Sequence, residues 1–335
     1  MRRHCRPDEW NSEIAPLQPS VSNFQNSERQ LTTGDYILMT AARNEDGLIE
    51  DTILSVATQT LLPKKWVIVS DGSTDRTDEI VAKLARKYRF IVFLRRSDGE
   101  GTRSFSSKVL ALKQGYERLQ NTDYDLVGNL DADVTFAANY FEKLFQQFRA
   151  NPRLGLAGGI IHELVGHRFI PQRISLNSVA GAVQMFRREC YEQIGGYLPL
   201  RYGGSDSAAE IIARMRGWQV ETFPEFEVRH HRRVASGSGG LVKREWRHGL
   251  GHYSLGYHPI FELLRNAYKI LDRPYVVGTA LMTLAYLWAL VTAKPRELPE
   301  EAVRYLQAEQ RERLLSMVLK NSSRRSSAKR PAVSD

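Results

Sequence analysis

Between Tyr36 and Phe148 the chain alternates short apolar runs with segments of helical periodicity, and this alternation limits the possible folds more than any other feature. "YILMTAA" from Tyr36, "WVIVSDG" from Trp66, "FIVFLRR" from Phe90 and "DLVGNL" from Asp125 read as buried strands. Ile49, Ile53, Val56 and Thr60 recur at helical spacing after the first. Ile80, Val81 and Leu84 line a second helix, expected to open at Thr74. Val109, Leu112, Tyr116 and Leu119 mark a third, and Phe141, Leu144, Phe145 and Phe148 a fourth. Strands joined through helices of this length need right-handed crossovers, so the expected class is α/β with a mostly parallel, Rossmann-like sheet.

Ligands of such sheets bind at the carboxyl ends of the strands. Polar clusters recur at those ends: "ARNED" (Ala42 to Asp46), "SDGSTD" (Ser70 to Asp75) and "LDADV" (Leu130 to Val134). One such cluster is commonplace, whereas three in register make a site. Asp131 and Asp133 lie two apart on an extended segment, so their carboxylates face one side. Burying a carboxylate is costly unless it is paired or binds a metal. Two hard oxygen donors suit Mg²⁺ or Mn²⁺, which keep open positions for phosphate oxygens. A bare D-x-D serves equally in a solvated turn that caps the next helix. Here the end of an apolar strand on a shared rim favours the metal. The chain has no G-x-x-x-x-G-K-[ST] and no G-x-G-x-x-G after a strand, which excludes a P-loop and a dinucleotide fingerprint. A nucleotide on this rim would therefore be held by the metal and by loop side chains.

The periodicity changes after Asn151. "LGLAGGII" and "VAGAVQMF" read as strands, "IGGY" (Ile194 to Tyr197) as a turn and "WQVETFP" as a closing strand. A helix from Asp206 to Arg216 carries Ala208, Ile211, Ile212 and Met215 on one face and ends at Gly217. "VASGSGG" reads as a flexible loop. A helical region from Leu241 to Leu271 then leads into "YVVGTALMTLAYLWALVTA" (275–293), which has no charge and lies between Arg273 and Lys294. At ~1.5 Å per residue this segment spans just under ~30 Å, the lower limit for crossing a bilayer. A crossing would export the basic tail against the positive-inside tendency, so buried, re-entrant and surface-lying helices stand beside a span.

The 335 residues are 42% hydrophobic and 25% charged, enough for one large domain with appendages. The expected organisation is a polar arm over 1–33, a catalytic domain over 34–235, a helical region over 236–318 and a basic disordered tail over 319–335. The tail, "KNSSRRSSAKR" from Lys320, holds much of the net charge of +9 and would suit an anionic membrane surface. No aromatic-basic platform accompanies it, so nucleic-acid binding is not expected. Cys5 and Cys190 make neither a zinc spacing nor a disulfide framework, which fits a reducing, cytoplasmic compartment. The first residues lack the apolar core of a secretory signal, so none is expected.

The series "YILMTAARNE", "IVSDGSTDRT", "KVLALKQG", "NLDADV", "IGGY" and "DSAAEIIARMRGW" resembles the inverting glycosyltransferases of family 2. The match runs in order and spacing over about residues 36–235. The resemblance implies the GT-A fold, with a C-terminal helical, partly apolar extension. It implies that Ala42, Arg43, Asn44, Glu45 and Asp71 hold the nucleotide of a nucleotide-diphosphate sugar. Lys108 then lies near the base and diphosphate, and Asp131 by the ribose and metal. Asp133 ligates Mg²⁺ or Mn²⁺, with His230 of "EVRHHRR" completing the shell and His231 as its substitute. Asp206 matches the catalytic base, although at a helix start it would equally serve as an N-cap. The acceptor is a lipid-linked or polysaccharide hydroxyl, and the place of work the cytoplasmic face of a membrane, in cell-surface glycan biosynthesis.

Two departures stand out. Ser205 precedes Asp206 where the family often has an acid. "KREWRHGLGHY" from Lys243 has Trp246 and Arg247 in the reverse order of the processive Q/R-x-x-R-W signature, which points to a non-processive enzyme. Trp246, Tyr253, Tyr257, Arg247 and His252 form either an acceptor-side surface or a packed amphipathic helix. A sugar-nucleotide pyrophosphorylase would want a Gly-rich signature where "AARNED" stands. A degenerate nucleotide-sugar or membrane-binding module fits Ser205, but Asp71, Asp131, Asp133 and Asp206 together argue against it.

Overall fold

In this computed structural model, residues 31, 34–96, 105–172, 175–232, 240–268 and 275–327 are described. The expected arm (except Leu31), most of the "VASGSGG" loop and residues 328–335 lie outside them. The first four strands, β1 (Tyr36–Ala42), β2 (Lys65–Asp71), β3 (Ile91–Arg96) and β4 (Leu126–Leu130), pair in parallel in the order β3-β2-β1-β4. A second half extends the sheet beyond β4. It contains β5 (Val134–Phe136), β6 (Leu154–Val165), β7 (Arg168–Pro171), β8 (Val183–Arg187) and β9 (Gln219–His230). The order continues β8-β6-β9-β5, with β7 paired to β6. Most of the added pairings are antiparallel, so the sheet is mixed rather than mostly parallel in this half.

Period-two alternation puts the two faces of β1 into different cores. Ile37 and Met39 face helices α3 (Phe105–Glu117), α5 (Arg188–Ile194) and α6 (Ser205–Met215). Tyr36 and Leu38 face α1 (Ile49–Ala57), α2 (Thr77–Lys87) and α4 (Tyr140–Ala150). Trp66 is fully buried on that second face, and its indole N–H donates to Thr40 Oγ1 at 2.9 Å.

The expected helix start at Thr74 is displaced to Thr77. Asn44 Oδ1 accepts from the Thr74 N–H at 2.8 Å, which keeps Thr74 in the loop, and Asp75 Oδ1 accepts from the Thr77 N–H at 3.0 Å. In "VAGAVQMF" the strand begins only at Val183, leaving 179–182 as a loop beside the strand ends. The single expected helical region divides into α7 (Leu241–Ser254) and α8 (Pro259–Tyr268). The break falls at Gly256, whose φ of 80° and close approach to Val303 leave no room for a side chain.

α9 (Tyr275–Val291) packs on α7, and α10 (Glu300–Ser327) returns to the first core through Ala302, Val303 and Leu306. The backbone of α10 takes in residues 319–327 of the stretch read as a tail. Among the described residues no helix is long and apolar enough to cross a membrane.

The register of β6 against β9 shifts between Gly159 and Ile160. A Cβ on Gly159 would overlap the Phe226 carbonyl oxygen and approach the Tyr140 ring to 3.0 Å. Gly159→Ala is expected to cost at least the ~1–3 kcal/mol of an overpacked core, read as a lowered Tm. Gly47→Ala, with open space around the added methyl, should leave the Tm near that of the parent.

Candidate active site

The loops after β1 and β2 are stitched together by side chains of the second. Ser73 Oγ accepts from the Asn44 N–H at 3.2 Å, Thr77 Oγ1 from the Glu45 N–H at 2.7 Å, and Asp75 Oδ2 from the Asp46 N–H at 3.1 Å. These bonds hold Asn44 at φ 55°, a left-handed conformation that Asn tolerates. Ala42 and Glu45 are buried at this rim, and Asn44 is exposed. Asp71, buried at the end of β2, accepts from Arg96 Nη1 at 3.1 Å. Arg96 is the residue opposite Asp71 in the β2–β3 register, a partner that motif reading passed over.

Asp131 and Asp133 follow β4. Asp131 Oδ1 accepts from Lys108 Nζ at 2.5 Å. Desolvation works against the Lys108 charge, yet Asp131, with Asp206 and Asp133 behind it, holds the ammonium pKa above the usual lysine value. Burial raises the Asp131 carboxyl despite that partner. At Asp133 burial is outweighed by the hydrogen bond and charge of His230 and by Arg232, so its carboxyl is held below the usual range. His230 Nε2 stands 3.3 Å from Asp133 Oδ1. Desolvation disfavours the imidazolium, but Asp133 and then Asp131 raise its pKa above the ordinary histidine value.

One ligand atom from each of Asp131, Asp133 and His230 lies within 4.8 Å of the others. Two hard oxygens and an imidazole nitrogen at that separation fit a divalent cation. His231 is turned away: its Nε2 stands 2.7 Å from Thr135 Oγ1 and its ring packs edge-on to Phe169. Arg232 was not anticipated. It pairs with the Glu45 carboxylate, and its Nε lies 3.6 Å from Asp133 Oδ2, so it joins the first loop to the acidic pair.

Asp206 is the second residue of α6. The N-cap position is Gly204, at φ 90°, so Asp206 does not cap the helix. It lies in the first turn of the helix. A cavity of about 580 Å³ is lined by Lys108, Asp131, His230, Asp206 and Glu210 among others. The structure thus brings Lys108, Asp131, His230 and Asp206 to one space, with Asp133 buried beside His230. Ala42, Arg43, Asn44, Glu45 and Asp71 lie outside that lining, on the adjoining strand ends.

Glu210, one turn beyond Asp206, escaped sequence reading because an acid on the inner face of an amphipathic helix carries no motif. Its carboxylate accepts from the Val179 N–H at 2.8 Å and from Ser178 Oγ at 2.9 Å, and Arg214 Nη1 lies 3.6 Å away. Desolvation pushes its carboxyl up to about 7. The same loop is held by Asn129 Nδ2 donating to the Gly181 carbonyl at 2.9 Å and by the Asp131 N–H donating to the Ala182 carbonyl at 2.8 Å. Gly181 is required there, because a Cβ would lie 2.5 Å from Asp206 Oδ2.

With that geometry in place, residues 37–201 match the family described as glycosyl transferase family 2. The chain belongs to that family. A poly-beta-1,6-N-acetyl-D-glucosamine synthase of Staphylococcus epidermidis is 26% identical over 253 residues, covering 68% of this chain and 56% of the relative. The enzyme of the same name from Staphylococcus aureus strain MSSA476 is 26% identical over 208 residues, covering 55% and 47%. The family 2 chain thus spans about half the length of the curated relatives it matches. Among solved structures, a mannosyltransferase from Pyrobaculum calidifontis in complex with GDP-Man and Mn²⁺ superposes with TM-score 0.52 at 16% identity, covering 86% of this chain and 93% of that one. Staphylococcus aureus TarS 1-349 in complex with UDP-GlcNAc gives 0.50 at 14%, covering 78% and 74%. These likenesses show the GT-A fold, here with a helical C-terminal region.

Gly181→Ala should displace the Asp206 carboxylate of the glycosyltransferase. The expected result is a lower kcat with little change in donor affinity, measured by steady-state transfer and by titration of the donor. Glu210 has a folded pKa near 7, above the ordinary 4.5. Its contribution to stability is therefore full below about 4.5 and is lost as pH rises towards 7. Glu210→Gln should gain Tm relative to the parent across that window, as read by thermal melts at successive pH values.

Proposed function

We propose that this family 2 chain moves a sugar from a nucleotide-diphosphate donor to a hydroxyl of a lipid-linked or polysaccharide acceptor, with inversion and one sugar per encounter. The observation that carries the reading is that Asp131, His230 and Asp206 line one cavity while Asp131, Asp133 and His230 bring ligand atoms within 4.8 Å of one another. The curated relatives are named as polysaccharide synthases, and the fold neighbours were solved with GDP-Man and UDP-GlcNAc, which supports this class of donor and acceptor. The reading puts the enzyme at the cytoplasmic face of the membrane that carries the acceptor.

Each side chain has a defined task in this scheme. The stitched loop over Ala42 to Glu45 and the Asp71 carboxylate, fixed by Arg96, receive the base and nucleoside. Lys108 offsets the charge of the diphosphate. Asp131, Asp133 and His230 would hold Mg²⁺ or Mn²⁺, which supplies Lewis-acid stabilisation to a departing diphosphate. Asp206 accepts the proton of the acceptor hydroxyl as its oxygen bonds to the anomeric carbon and the bond to the diphosphate oxygen breaks on the opposite face. The reversed Trp246-Arg247 order supports a non-processive transfer.

Asp133→Ala is expected to abolish Mn²⁺-dependent donor hydrolysis and transfer while the metal-free Tm stays close to that of the parent. Transfer at the parental rate would remove the metal assignment. Asp206→Asn should bind donor normally and lose turnover by about 10²–10⁴-fold, the usual worth of a general base. Parental turnover there would demote Asp206. Because the proton on His230 must leave before the imidazole can ligate, Mn²⁺ affinity should rise with pH through a pKa above 6.5. His230→Gln should flatten that profile in calorimetric titrations.

A further inference from the structure

Helices α8 and α9 are inside out for a protein surrounded by water. α8 buries Glu262 and Asn266 completely, and exposes Ile260, Leu263, Leu264 and Tyr268, the last 88% accessible. On α9 the buried residues are mostly small, Gly278, Thr279, Ala285 and Ala289, with Tyr286 the exception, packed on Tyr253 of α7. The fit is close, since a Cβ on Gly249 of α7 would lie 2.8 Å from the Ala285 methyl. The other large side chains point the opposite way. Val277, Leu284, Leu287, Trp288 and Val291 recur on one exposed face, with Val291 84% accessible.

The polar groups of this layer face one another. Glu262 Oε1 stands 3.0 Å from His252 Nδ1 and accepts from Asn266 Nδ2 at 3.0 Å, while its Oε2 pairs with Arg265 Nη2 at 3.1 Å. Asn266 Nδ2 also donates to Thr283 Oγ1 of α9 at 3.0 Å. Polar side chains paired inside, small residues at the helix contact and large apolar ones outside form the arrangement that hydrocarbon selects and water does not.

Cations and aromatics mark the border. Lys294, just beyond α9, lies 4.2 Å from the Trp288 ring centroid, and Arg296 lies 5.7 Å from that of Tyr253. Such pairs suit the headgroup level of an anionic bilayer. With 17 residues, α9 is about 26 Å long, too short to cross upright. The layer also touches the cavity: a Cβ on Gly204, a lining residue two positions before Asp206, would meet Leu255 at 3.2 Å.

We propose that α8 and α9 together form a monotopic wedge whose apolar face enters one leaflet of an anionic membrane. The apolar segment read from the sequence is thus only half of the surface, and α8 is the other half. The purpose of the wedge, bringing a membrane-held acceptor to Asp206, rests on the glycosyl-transfer reading; the lipid contact itself does not.

The test is flotation of the full chain with vesicles of phosphatidylcholine and phosphatidylglycerol. The parent should float with the vesicles. Leu284→Glu/Val291→Glu and, separately, Leu263→Glu should each weaken binding at least tenfold while circular dichroism and the donor-induced thermal shift stay parental. Failure of the parent to bind, or undiminished binding by both variants, overturns the wedge. So does a parental dimer in sedimentation that the same substitutions dissociate, since a second copy would then cover the face. Vesicle binding without any donor-induced shift would instead count against the glycosyl-transfer reading and leave the wedge standing.

Discussion

A three-residue ladder holds the site together. β5 runs antiparallel to the end of β9, with Val134 opposite His230, and this pairing sets His230 beside Asp133 although nearly a hundred positions separate them. Two carboxylates at the end of an apolar strand need cations nearby to remain charged. The ladder delivers His230 and Arg232 from one side, and α3 delivers Lys108 from the other. Without β5 the acidic pair would face the cavity with Lys108 as its main counter-charge.

The parallel half of the molecule was legible because its information is local. The strands of β1 to β4, the face of α4 and the acidic pair are written in period and composition over a few residues and stand where expected, as does the face of α1 except for Thr60, exposed beyond the helix end. The antiparallel half was less so. β5 is too short to show a period, and residues 179–182, apolar enough to read as strand, form a loop because Glu210, Asn129 and the Asp131 amide bind their backbone instead. Arg96, Glu210 and Arg232 were missed for one reason: each acts on a partner distant in sequence, and such pairing has no linear signature. The alternation of a strand separates His230 from His231, but which of them faces Asp133 depends on the β5 register, which only the fold supplies.

The C-terminal layer shows what an apolar segment alone leaves open. Its length and lack of charge were visible, whereas its orientation depended on small residues at the α7 contact and on a polar cluster contributed by three helices. Gly249 permits that contact by letting the α7 backbone approach the Met282 carbonyl and Ala285 methyl of α9, and Gly256 does the same for α10 at Val303.

Glu210 links the turn of α6 beneath Asp206 to the loop at 178–179, so the proposed base and the loop beside it are tied by the same carboxylate. The turn at 175–177 lies just outside that anchor. Residues inserted there would reshape the rim without shifting the carboxylate. The fold is thereby modular at this edge: under the proposed reading, recognition of an acceptor is free to vary while the Asp206 carboxylate stays fixed, and loop exchange at this turn is the natural handle for redirecting transfer.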